Sequence, residues 1–315
     1  MSNLIRKPSQ IEAKSTLSML IYGQPGVGKT TLGCSAPNPV LFDYDGGVSR
    51  VNGAHQVPTV QIRSWEDTEA ALQEIEQTMP EVQTIVIDTV GKMLDYMSAY
   101  IIRQDSRMGQ RDGSLQLKGY GVRKTMFINF IKRVSVMGKN VVFIAHEKEE
   151  KQGDVTVKRP EIGGSSAGDL IKELELVGYV QMHGTTRKIF FNPREEFYAK
   201  NTCNLPSDIS LTALFDESGA PSAENNYLTR MIGYYKAQQE KRQEQVKAYE
   251  KLMENINTAL SSAKDADGLN AIKASVDKQP AIFDSIVASR NLLNRKAEAL
   301  GLVFDTVSST YQPRA

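Results

Sequence analysis

Between residues 17 and 200, short unbroken apolar runs alternate with segments of helical spacing. Leu17-Ser18-Met19-Leu20-Ile21-Tyr22 ends on Gly23, which predicts a buried strand feeding a turn. A short helix is expected over 29–35, stopped by Pro37. A second strand at Val40-Leu41-Phe42 runs into Asp43-Tyr44-Asp45-Gly46-Gly47, and residues 65–78 place Ala71, Leu72 and Ile75 on one side of a helix. Thr84-Ile85-Val86-Ile87-Asp88 is the plainest buried strand, followed by a helix over about 90–103. Residues 104–119 are polar and glycine-containing and predict a long loop. Helix returns over 120–137 and leads to the strand Val141-Val142-Phe143-Ile144-Ala145. A second long polar segment covers 147–168, and 176–182 with 188–192 read as a hairpin turning at Gly184-Thr185-Thr186. Strands alternating with helices predict an α/β core with a mostly parallel central sheet and an antiparallel edge.

The pattern changes after about residue 222. Residues 224–260 are helix-forming, and Lys236 to Gln245 is polar nearly all round, as in a solvated connector. Ile282, Ile286, Leu293, Ala297 and Leu300 then fall at helical spacing before Gly301. The expected organisation is a core over residues 1–222 and a small C-terminal α-helical module over 223–315.

Composition adds limits. With 315 residues, 40% hydrophobic and 24% charged, the chain can bury a large core. A formal charge of +1 implies no acidic partner by itself, so any nucleic-acid site must come from local clustering. Two cysteines, Cys34 and Cys203, are too few for a disulfide framework or a zinc cluster. No apolar run follows the basic N-terminal residues, and no stretch approaches ~18 apolar positions. The expectation is a cytoplasmic protein with no membrane contact.

The chemistry begins at Gly23-Gln24-Pro25-Gly26-Val27-Gly28-Lys29-Thr30, with Thr31 beside it, which matches G-x-x-x-x-G-K-[ST] between strand and helix. Glycines there let backbone N–H groups curl around a phosphate. Lys29 would reach the β- and γ-phosphates of ATP, and the Thr30 hydroxyl and Asp88 would hold Mg²⁺. The residue after Asp88 is Thr89, not an acid, so the carboxylate that orients water must come from elsewhere. Asp45, just past the second strand, is the candidate; the alternative is that Asp43 and Asp45 only shape a turn with Gly46-Gly47. His146 closes the Val141–Ala145 strand at the same edge, as a γ-phosphate sensor or as a structural histidine.

Taken together these residues resemble the RecA-like P-loop recombinase core. More closely, they look like the phage ATP-binding single-strand annealing proteins (Sak-type, AAA_24-like). Leu41-Phe42-Asp43-Tyr44-Asp45 matches the family's F-I-D-A-E and puts Asp45 at the catalytic acid. Val86-Ile87-Asp88-Thr89 matches V-V-D-S, and Phe143-Ile144-Ala145-His146 matches the sensor strand F-I-N-Q, with Asp for Glu and His for Gln. The resemblance covers about residues 15–200 and implies an ATPase that oligomerises, as a filament or ring, on single-stranded DNA. In such proteins two loops contact DNA. Here they would offer Arg103, Arg107, Arg111, Lys118, Arg123 and Lys124, six cations against Asp105 and Asp112, with Tyr120 to stack on a base. The second would offer Lys158 and Arg159, among five acids. A solvated basic loop is the plainer alternative. Arg187 and Lys188, at the tip of the late hairpin, occupy positions from which RecA-type ATPases reach a neighbour's γ-phosphate. The C-terminal module resembles phage recombination tails and would recruit a single-stranded-DNA-binding protein, or serve only as a structural bundle. Two other functions fit the same motifs: a helicase-like DNA motor, and a nucleotide-switched adaptor working through its tail.

Overall fold

The computed structural model describes residues 4–314 apart from Asp154, Glu217 and Pro221. The chain runs β1 (Ser18–Gly23), α1 (Lys29–Gly33), β2 (Pro39–Asp43), β3 (Thr59–Gln61), α2 (Trp65–Thr78), β4 (Thr84–Asp88) and α3 (Val90–Gln104). It continues through α4 (Leu117–Val136), β5 (Asn140–Gln152), β6 (Val155–Pro160), α5 (Ser166–Glu173), β7 (Leu176–His183), β8 (Thr186–Phe190), β9 (Lys200–Asn201) and β10 (Asp208–Ser210). Last come α6 (Tyr227–Ser262), α7 (Ala266–Asp277), α8 (Ser285–Ala299), β11 (Leu302–Asp305) and β12 (Thr310–Pro313).

The described strands before residue 211 form one ten-stranded sheet. Its main path is β10-β8-β7-β1-β5-β4-β2-β3, parallel from β7 through to β3, with β8 and β10 antiparallel at one edge. Alternation along the strands sends Leu20, Tyr22, Ile85, Ile87 and Phe143 to one face, where α2, α3, α4 and α5 cover them. Met19, Ile21, Val86, Val142 and Ile144 go to the other, where Leu32 of α1 and Leu228, Met231 and Ile232 of α6 pack. A Cβ at Gly33 would lie 2.9 Å from both Ile144 Cδ1 and Val86 Cγ1, so glycine lets α1 approach the sheet this closely. Cys34 and Cys203 are buried in this second layer.

Two expectations need correction. Residues 147–168 are not a loop: β5 runs on to Gln152 and folds back as β6, Glu147 opposite Pro160 through Gln152 opposite Val155. Glu147-Lys148-Glu149-Glu150-Lys151 has no apolar alternation, and Val155-Thr156-Val157 on the return strand is too short a period to read as a strand by itself. The segment 104–119 is shorter as a loop than expected. It carries a 3-10 turn over Ser106–Met108, a bridge between Gly109 and Leu115, and the first residues of α4.

The chain divides into two compact units, residues 15–236 and residues 237–315 joined by those before Ser15, so the division falls inside α6. The second has its own core of Ile256, Leu260, Leu269, Leu293, Ala297, Leu302 and Tyr311. Beyond its helices it contains the β11–β12 hairpin, which the helical reading omitted. No helix among the described residues is long and apolar enough to cross a membrane.

Candidate functional site

Strand register decides which residues meet. Gly23 of β1 lies level with His146 of β5, Asp43 of β2 with Asp88 of β4, and Asp88 with Ile144. The carboxyl ends of β1, β2, β4 and β5 therefore reach one sheet edge, where open α/β folds bind ligands. A cleft of about 550 Å³ opens there, lined among others by Gly28, Lys29, Thr30, Asp45, Asp88 and Arg187.

Lys29 is buried, and its Nζ donates to the carbonyls of Gly23 (2.9 Å) and Gln24 (2.7 Å). Burial lowers its pKa, opposed by the charges of Asp88, Glu147 and Asp45. Gly28 precedes α1 with φ +85°, and a Cβ there would meet the Arg187 guanidinium at 2.8 Å. The left-handed backbone favours glycine there, while the arginine tip would have to move aside for any side chain.

Thr30 Oγ1 donates to Asp88 Oδ2 at 2.6 Å. Burial raises the Asp88 pKa; the Thr30 hydrogen bond and Lys29 oppose this, while Asp43 and Asp45 reinforce it. Thr89, the non-acidic residue after Asp88, caps α3 by accepting from Lys92 N.

The two acids after β2 divide their work. Asp43 is buried and accepts from the backbone N–H groups of Asp45 (3.2 Å), Gly47 (3.0 Å) and Val48 (3.1 Å), so it holds the turn. Asp45 is carried by that turn into the cleft, 3.6 Å from Arg50 Nη2 and 3.8 Å from His146 Nε2. Arg50 escaped sequence reasoning because it lies on a 3-10 turn without hydrophobic period. His146 Nδ1 is shielded and unpartnered among the described residues, and its carbonyl accepts from Glu161 N at the base of the β5–β6 ribbon.

Pro25, Gly26 and Thr31 line the cleft with Lys29, whereas Gln24 joins through its carbonyl, and Val27 packs in the core beneath. Arg187 lies in the cleft of its own chain. Lys188 does not: one step along the strand, it pairs with Asp208 at 3.2 Å.

The basic residues expected on DNA loops are largely compensated. Arg103 pairs with Glu66, Arg107 with Asp105 (2.9 Å), Lys124 with Asp169 (3.1 Å), Lys158 with Glu147 (3.7 Å) and Arg159 with Glu150 (3.0 Å). Arg123 donates to Ser98 Oγ and stacks over Tyr120 at 5.0 Å. Arg111 and Lys118 are exposed and in no ion pair among the described residues.

The donor set suits a nucleoside triphosphate with a divalent cation. Among the described residues no group of three acidic, histidine or cysteine side chains could hold a metal unaided. One hydroxyl and one carboxylate are instead the set on which Mg²⁺ is held when phosphate oxygens complete its octahedron. The cradle is present as well, in Gly28 and the buried Lys29.

The SPbeta prophage-derived uncharacterized protein YorG of Bacillus subtilis (strain 168) is 28% identical over 145 residues, covering 44% of this chain and 43% of that protein. The match therefore spans less than half the length of that relative. A solved structure described as an ATPase domain aligns with a TM-score of 0.38 at 10% identity, covering 62% of this chain and 81% of that one. Residues 15–203, well over half the chain, match the family AAA_24, described as an AAA domain. They carry the glycine cradle, Lys29, Thr30, Asp45, Asp88 and His146 on a mostly parallel P-loop sheet, and the chain belongs to that family.

Proposed function

We propose that this chain is a Mg²⁺-dependent ATPase that works on single-stranded DNA and promotes annealing or strand pairing in recombination. The observation that carries the reading is the convergence in one cleft of Lys29, the Thr30–Asp88 pair and the Asp45–His146 pair.

Lys29 would exchange its two carbonyl acceptors for phosphate oxygens, a stronger charge-assisted pairing. Thr30 and Asp88 would hold the cation, which supplies neutralisation of charge building on the β- and γ-phosphate oxygens. Asp45, half-buried and tied to the Asp43 turn only through its backbone N–H, orients the attacking water with its carboxylate and accepts its proton. His146 stands between Asp45 and the ribbon that begins at Glu147, so a change at the γ-phosphate position reaches β5–β6 through one residue.

The DNA part rests on the family resemblance and on Arg111 and Lys118, which are exposed and in no ion pair among the described residues. Arg103, Arg107, Lys124, Lys158 and Arg159 would bind DNA only by leaving their acids, which predicts weak binding that strengthens steeply at low salt. Self-association on the strand and recruitment of a single-stranded-DNA-binding protein by residues 237–315 belong to the same proposal. The prophage origin of YorG supports a phage-borne protein acting in a bacterial cytoplasm.

The test is ATP hydrolysis and annealing of complementary oligonucleotides, with and without single-stranded DNA, for the parent, Lys29→Ala and Asp45→Asn. Hydrolysis should depend on both residues and rise with DNA. No DNA binding and no DNA effect at low salt would contradict the recombination reading. Arg111→Ala with Lys118→Ala should weaken binding and flatten the salt dependence by about 0.7 per lost phosphate contact.

A further inference from the structure

The cleft holds a cation for which the chain itself provides no counter-charge among the described residues. Arg187 is half-buried, its Nε is shielded and unpartnered, and no acid pairs with its guanidinium among those residues. The acids in the same cleft are committed elsewhere: Asp45 to Arg50 and His146, Asp88 to the Thr30 hydroxyl. A half-buried guanidinium with a shielded, unpartnered nitrogen is costly, and an anionic ligand is the chemistry that offsets it.

The backbone fixes where this cation points. Arg187 lies on β8 between β7 and β10, opposite Met182, and its carbonyl accepts from Leu211 N at 2.8 Å. Alternation along β8 puts Arg187 on the side of Ile189, in the layer of α1, and Lys188 on the side of Phe190, where Asp208 pairs with it. The guanidinium then packs on the P-loop backbone at Gly28, with Nη1, Cζ and Nη2 at 2.8, 2.9 and 3.3 Å from where a Cβ would sit.

We propose that Arg187 binds the phosphates of the nucleotide held by its own chain, opposite Lys29, and does not serve a neighbouring copy. This rests on the nucleotide-binding reading of the cleft and reverses the expectation that the hairpin cations reach across an interface. It follows that one chain carries a complete phosphate grip. Assembly on DNA can then tune turnover without being needed for nucleotide binding.

Two measurements test it. The first is equilibrium titration of ATP with Mg²⁺, at protein concentrations where sedimentation velocity shows single chains. Arg187→Ala and Arg187→Gln should bind about 10- to 100-fold more weakly with thermal stability retained, and Arg187→Lys should recover part of the loss. Parent-like affinity in the single-chain alanine and glutamine variants would overturn the proposal. The second mixes Lys29→Ala chains with Arg187→Ala chains under assembling conditions. Action within one chain predicts no more hydrolysis than the two variants show separately. Recovery above that sum means that intact arginines complete intact P-loops of other chains, which overturns it. Should the parent hydrolyse nothing, the functional reading fails, while the titration still judges Arg187.

Discussion

At the scale of single residues, Asp88 shows a conflict between stability and function. Burial raises its carboxyl pKa in the folded chain, so the ionised form disfavours folding, and that cost is relieved as pH falls through the raised value. Asn at this position would still accept from the Thr30 hydroxyl without the charge. Asp88→Asn should therefore hold or raise the melting temperature of the ligand-free protein at neutral pH, by roughly 2–4 °C per kcal/mol recovered. The same change should abolish the effect of Mg²⁺ on ATP affinity. A clear fall in the ligand-free melting temperature would show that the ionised carboxylate is holding the fold. The same balance appears at Lys29, where burial works against the charge that would pair with phosphate in the proposed function.

Among the elements, the β5–β6 ribbon is the part most directly tied to the cleft. It starts at Glu147, which accepts from Tyr179 Oη at 2.9 Å, and Tyr22 Oη donates to Tyr198 O at 2.5 Å while lying 3.1 Å from Lys158 O on the ribbon's other strand. Its base is thus held by aromatic residues of the core, while its tip, with Lys151, Gly153, Val155 and Thr156, is exposed. Replacing residues 148–159 with an Asn-Gly turn should leave ATP affinity within about threefold of the parent and remove stimulation by single-stranded DNA. Retained stimulation, read as the ratio of hydrolysis rates, would move the coupling elsewhere. The parallel core was legible in the sequence because β1, β4 and residues 141–145 of β5 are apolar on both faces. The ribbon was not, since its first strand is all polar and only Val155 and Val157 on the second alternate as apolar positions. Asp45 was legible from its place after β2, but its separation in role from Asp43 needed the three backbone N–H groups that Asp43 accepts. Arg187 was legible as a cation near the site, whereas only the order β8-β7-β1 shows whose P-loop it meets.

For the whole molecule, the two units bury separate cores, one around the sheet and one around Leu269, Leu293 and Tyr311. Nucleotide at 100 times its Kd should stabilise the unit that holds the cleft by about 2.7 kcal/mol. Calorimetry should then show one transition moving upward with ATP and Mg²⁺ and a second that stays in place. A single transition moving as a whole would mean that the units unfold together. The central claim is that this cleft hydrolyses ATP with Asp45 as the carboxylate that orients water. It is tested most directly by measuring single-turnover hydrolysis alongside equilibrium ATP binding in the parent and Asp45→Asn. The account predicts affinity within about threefold and hydrolysis slowed by roughly 10²–10⁴-fold. Parent-like hydrolysis in Asp45→Asn would contradict it.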